Sequence, residues 1–234
     1  MVLDKISKDL AEFCYRNKLS RYQCPTNGNQ LSYFTQNSQN KMENAFQLTN
    51  YQNPIQFSSC NINSDECQQI STAISQCPKL KTLELNLNFN KICNLSLSLL
   101  IQFFRSRIYL KFLNLILIKN QISDSGIAYL FLQLKDIKNL KKLFLKLNGN
   151  EITNNCAQVI SKGLNGCKNL QQFTMNLQCT KFCLKGLKEF SDRLNNGLII
   201  NYLKIVLDQQ EKPKNFKSDL MKKLRNLVKL DIDI

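Results

Sequence analysis

Leu80 to Ile92 reads LKTLELNLNFNKI, and the same phrase returns at Leu110 to Ile122 (LKFLNLILIKNQI), Leu140 to Ile152 (LKKLFLKLNGNEI) and Leu170 to Phe182 (LQQFTMNLQCTKF). Each copy starts 30 residues after the last, at 80, 110, 140 and 170. The shared pattern is LxxLxLxLxxNx(I/F), with Leu83, Leu85, Leu87, Asn90 and Ile92 as its first set. Phe173 and Met175 replace leucine in the fourth copy, and Thr180 stands in its Asn slot. A fixed period of this size marks a repeat architecture, in which a unit buries its apolar face only by stacking on neighbours. The frame runs on in weaker form. Thirty residues upstream it meets Ile55, Phe57, Cys60 and Ile62, and thirty downstream Ile200, Leu203, Ile205 and Leu207. A shorter step of 27 reaches Leu227, Leu230, Ile232 and Ile234. Six to seven units therefore span residues 54–234, and degenerate end units suit a solenoid whose ends face water.

Each unit changes period half-way. Alternation in Leu83-Glu84-Leu85-Asn86-Leu87 predicts a short strand with its leucines facing the core. The Asn slot follows: Asn90, Asn120 and Asn150 carry donors and an acceptor on one side chain, fit to bond backbone where the chain leaves the sheet. Spacing then becomes helical, as in Ile127, Leu130, Leu134 and Ile137, with Ser123 or Asp124 placed to cap the first turn. Val159, Ile160, Leu164 and Cys167 repeat that stripe. Helices are wider than strands, so stacking such units predicts an α/β solenoid bent into a horseshoe, with a concave parallel β-sheet and convex helices.

The strand-plus-helix unit, with Asp124-Ser125-Gly126 after the Asn-x-Ile element, resembles the ribonuclease-inhibitor-like class of leucine-rich repeats. The likeness covers about Pro54 to Leu207, and departs from the usual unit by an extra LxL step that predicts a strand two residues longer. The 30-residue form also looks like the long repeats of protist proteins, some of which carry a kinase domain; no kinase motif is present in this chain. The resemblance implies a binding scaffold with a protein partner, although fold alone does not assign function.

Outside the repeats, Leu3, Ile6, Leu10, Phe13 and Cys14 lie on one helical stripe, which predicts an N-terminal amphipathic helix over 1–19 that caps the first repeat. Residues 20–53 are rich in Asn, Gln and Ser and read as a polar linker or irregular cap. The opening MVLDKISKDL has acids among its lysines, unlike a signal peptide, and no apolar run is long enough to span a bilayer. Several of the ten cysteines fall on repeat positions, Cys60 in the Asn slot and Cys77 and Cys167 three repeats apart. They read as small buried hydrophobes with reduced thiols, which places the chain in the cytoplasm.

Chemistry is narrowly bounded. The chain has no histidine, which removes Ser-His-Asp and Cys-His catalysis and every zinc site needing imidazole. Cys179 and Cys183 form a lone CxxxC, Gly126 and Gly149 are isolated turn glycines outside any phosphate-binding pattern, and Asp231 and Asp233 read as the solvated side of an end strand. The expectation is no enzyme, no cofactor and no metal. Net charge is +15, and between Glu211 and Lys229 the basic side chains Lys212, Lys214, Lys217, Lys222, Lys223 and Arg225 face few acids. That segment is the candidate for the alternative reading, a basic module for nucleic acid or an acidic surface. For the protein-binding reading the candidates are outward strand positions. Most are polar, such as Glu84, Asn86 and Asn176, but Ile116 and Ile118 read as exposed on one strand, with Phe144 following Asn114 on the next. Lys146, Tyr202 and Lys204 extend this surface.

Overall fold

In the computed structural model, residues 55–75, 80–106, 108–208, 216–224 and 226–233 are described. The expected helix over 1–19, the linker over 20–53 and Cys77 lie outside them.

The alternating stretches form seven strands in chain order: β1 (Ile55–Gln56), β2 (Thr82–Asn86), β3 (Phe112–Ile116), β4 (Lys142–Lys146), β5 (Gln172–Asn176), β6 (Tyr202–Val206) and β7 (Lys229–Asp233). All pairings are parallel and consecutive, β1 to β7. Leu83 lies opposite Leu113, Leu113 opposite Leu143, and Leu143 opposite Phe173, so the sequence period is the strand register. At the last pair Leu203 meets Leu230, which is the shortened step.

Helices connect the strands: α1 (Ser64–Ser75), α2 (Asn94–Leu100), α3 (Asp124–Leu134), α4 (Ala157–Gly166), α5 (Leu184–Asp192) and α6 (Phe216–Lys223). The inward residues of strand and helix merge into one continuous apolar core running the length of the array. Phe131 on α3 and Phe173 on β5 meet edge to face within it, 6.3 Å between centroids. The remaining strand residues point to the opposite face, which we call the free face.

Strands β2 to β7 are five residues each, and they carry the first two leucine positions of the LxLxL run. The third leucine turns inward just beyond the strand, and the amide ladder persists there, from Leu87 N–H to Ile116 O and from Leu117 N–H to Lys146 O. Two residues further the chain leaves the sheet through a left-handed residue at one repeat position: Ser59, Phe89, Lys119, Gly149 and Cys179, with φ between 52° and 67°. Only Gly149 adopts this conformation without a Cβ penalty.

The Asn column then closes the turn. Asn120 Oδ1 accepts from Ile92 N–H of the preceding repeat at 3.0 Å, while its amide donates to Leu87 O at 3.0 Å. Asn150 repeats this with Ile122 N–H and Leu117 O, and Asn90 with Cys60 and Ile62 N–H and Phe57 O. All three are buried. The column satisfies backbone that no ladder reaches. Thr180 cannot extend it: the hydroxyl bonds Leu177 O and Phe182 N–H inside its own repeat.

Helix capping differs from the sequence expectation. Ser123 is the N-cap of α3, yet neither it nor Asp124 caps with its own side chain. Asn94 of the preceding repeat does so, its Oδ1 accepting from Ser123 N–H and Gly126 N–H. Asn154 acts identically on Cys183 and Gly186 ahead of α5, and Asp124 on Thr153 ahead of α4. Gly126 and Gly186 make room for this; a Cβ at either would stand 2.5 or 2.4 Å from the capping oxygen.

Candidate functional site

Four solvent-side rows run across the strands on the free face. Thr82, Phe112, Lys142, Gln172 and Tyr202 form one row; Glu84, Asn114, Phe144, Thr174 and Lys204 the next; Asn86, Ile116, Lys146, Asn176 and Val206 the third. Beyond the strand ends lie Asn88, Ile118, Asn148 and Gln178.

The apolar residues expected on this face take the following places, with two corrections. Ile116 is buried, only 8% exposed, although alternation sets it on this face. Ile118 lies past the end of β3, half-buried in the turn, where its N–H bonds the Asn88 side chain at 2.8 Å. Phe144 is half-buried and packs against buried Phe112, centroids 5.4 Å apart. Lys146 is exposed beside them, and Asn114 and Asn176 are half-buried.

Tyr202 and Lys204 belong to a different group. The Tyr202 hydroxyl donates to Asp231 at 3.1 Å, and Lys204 pairs with Asp233 at 2.5 Å. Asp231 also meets Lys229 at 3.1 Å, and that ammonium sits 5.5 Å from the Tyr202 ring. Burial and the neighbouring Asp231 raise the Tyr202 phenol, while Lys229 holds Asp231 below the usual carboxylate range. The pair Asp231 and Asp233 is therefore engaged with cations of its own chain.

Glu84 is 5% exposed although it points to the free face. Its Oε2 accepts from Asn114 Nδ2 at 3.1 Å, and its Oε1 has no partner. Asn114 Oδ1, Asn148 Oδ1 and Thr174 Oγ1 are likewise buried without partners. All four atoms belong to the free-face rows.

Cysteines divide in two. Cys60, Cys67, Cys156 and Cys167 are buried, and desolvation pushes Cys67 and Cys167 up to about 12. Cys179 is exposed, and Cys93 and Cys183 are half-buried at helix starts, so those three depart from the buried reading. Hydrogen bonds from Ser96 to Cys93 and from Asn154 to Cys183 lower those thiols. Cys179 is raised by the adjoining Asp208. None of the seven described cysteines is in a disulfide, and among the described residues no group of three or more Cys, Asp or Glu could hold a metal ion. Nor, among them, is any helix long and apolar enough to cross a membrane.

Of the basic segment, Lys217, Lys222 and Lys223 lie on α6, where Lys222 is exposed; Lys212, Lys214 and Arg225 fall outside the described residues. A second basic feature went unread. Lys81, Lys111 and Lys141 precede β2, β3 and β4 in register, joined by Lys111 N–H to Lys81 O and Lys141 N–H to Lys111 O, and all three are exposed. Their numbers differ by 30, so the period carried the signal.

No family model and no curated protein matches this chain. Among solved structures it is similar to leiomodin-1 actin-binding site 2, a leucine-rich-repeat domain, with a TM-score of 0.53 over 69% of this chain and 87% of that one. The fold is leucine-rich-repeat-like. At 17% identity the likeness concerns the fold and carries no residue across.

Proposed function

We propose that this chain is a non-catalytic scaffold that binds a protein partner along the concave, free face of its sheet, centred on β3 to β5. The carrying observation is the half-buried Phe144 packed on Phe112, with Lys142, Lys146, Asn114, Thr174 and Asn176 around them on the same face. An apolar centre with a polar rim is the anatomy of a protein interface. A chain without histidine, with its most shifted thiols buried, offers little to a catalytic reading. The structural neighbour is by its title an actin-binding site; a protein partner is proposed on that footing, and actin itself is not carried over.

Ile116→Asp is a poor test, because an unpaired carboxylate there would be buried and would damage the fold. Phe144→Ala and Lys146→Glu act at accessible positions. Both should weaken a defined partner at least about tenfold; Lys146→Glu should leave the melting curve unchanged, and Phe144→Ala should lower it slightly, by the lost packing on Phe112, while unfolding stays cooperative. Unchanged affinity in both variants would move the site elsewhere.

The Lys81, Lys111 and Lys141 row supports a second reading, binding of a polyanion such as nucleic acid along the strand-entry rim. A salt titration discriminates: a steep log-linear loss favours phosphate contacts, whereas a shallow one favours the free face.

A further inference from the structure

We propose that Glu84 and Asn114 form a subsite for one guanidinium, the side chain of an arginine carried by the partner. This deepens the free-face reading and rests on it. The two residues face each other across β2 and β3, and the Asn114 amide donates to one Glu84 oxygen at 3.1 Å. That bond fixes the Asn orientation. Flipping the amide would set its oxygen against a carboxylate and lose the bond. Each residue is left with one unmet acceptor, Glu84 Oε1 and Asn114 Oδ1, both buried. Buried acceptors are seldom left bare in folded proteins, and two on residues paired across adjacent strands call for a ligand rich in donors.

The ligand's charge follows from Glu84. It is the one acidic side chain among the free-face positions of β2 to β5, and it is 5% exposed, so a cation there meets little competing water. Its shape follows from the two acceptors. They come from adjacent strands, and a planar fork with several N–H groups can serve both, whereas a lysine ammonium acts as a compact point charge. Phe144 is next in the same row and packs on Phe112, which supplies an aromatic wall for a guanidinium. Both unmet oxygens are buried in the free protein, so a guanidinium reaches them only as the side chains around them part.

The test uses the full chain with isotope labelling, observing the Asn114 side-chain amide and the backbone amides of residues 84 and 114 by NMR. Three probes are titrated: N-acetyl-arginine amide, the lysine equivalent, and the neutral isostere N-acetyl-citrulline amide. The arginine probe should move these signals and bind at least about tenfold more tightly than the other two. Glu84→Gln keeps the shape and removes the charge. It should abolish that preference while signals from β5 and β6 stay in place. Equal shifts with citrulline, shifts centred on other carboxylates such as Glu151 or Asp208, or an unchanged response in Glu84→Gln would overturn the proposal. If the arginine probe is inert while Lys146→Glu still weakens the partner, the subsite falls and the free-face reading stands.

Discussion

Asn120→Ala removes one rung of the column that fastens each turn to the one before it. Three bonds go: Ile92 N–H to Oδ1 at 3.0 Å, and the amide's bonds to Leu87 O at 3.0 Å and Ile118 O at 3.3 Å. The losses are unequal. Leu87 O keeps a second donor, Asn90 Nδ2 at 2.9 Å, so it remains satisfied. The Ile92 amide belongs to a residue with no exposed surface and has no such replacement. Leaving one buried donor unmet costs about 1–3 kcal/mol. Adding the small void left by the amide, the variant should lose about 2–3 kcal/mol in urea unfolding. Asn90→Ala should lose more, because its oxygen serves two amides, Cys60 and Ile62. Since solenoid units are coupled mainly to neighbours, that loss should appear as early melting of the first repeat. Asn120→Ala unfolding within about 0.5 kcal/mol of the parent would refute the account of the column.

Thr180→Asn should restore the missing rung to the preceding repeat and raise stability by about 1 kcal/mol in the same assay; a decrease would mean the turn has adapted to threonine. Cys179→Gly relieves a left-handed residue at φ 54° and keeps the backbone N–H bond to Asp208, so it should stabilise by about 1 kcal/mol, less the entropy glycine gains on unfolding; destabilisation would show that the thiol's own bond to Asp208 matters more. Alkylation of the native protein near neutral pH, mapped by mass spectrometry, should modify Cys93 and Cys183 and spare Cys67, Cys156 and Cys167. Rapid loss of all thiols together would contradict the burial. Denatured protein should titrate with ten free thiols, and fewer would indicate disulfides.

The repeats were legible because a parallel register turns sequence period directly into spatial alignment: Leu83, Leu113 and Leu143 differ by 30 and stack. The Asn column was legible for the same reason. What the pattern could not give was contact between units. The helix caps come from Asn94 and Asn154 one repeat upstream, which a search for local caps such as Ser123 passes over. Exposure was misread where alternation alone assigned it. Alternation assigns Ile116 and Glu84 to the outer face, and burial on that face depends on what stands beside them. Tyr202 and Lys204 looked available until the short last step set Asp231 and Asp233 against them.

The most direct test of the binding account places a photo-crosslinking amino acid at Lys146 or Asn176 on the free face, and at Lys162 on α4 or Lys188 on α5 as controls. All four positions tolerate a new side chain at partly or fully exposed sites. Crosslinked products are identified by mass spectrometry. The account predicts that both free-face positions capture one and the same protein and that the helix positions do not. Capture of that protein from Lys162 or Lys188 alone, with nothing from Lys146 and Asn176, would contradict it.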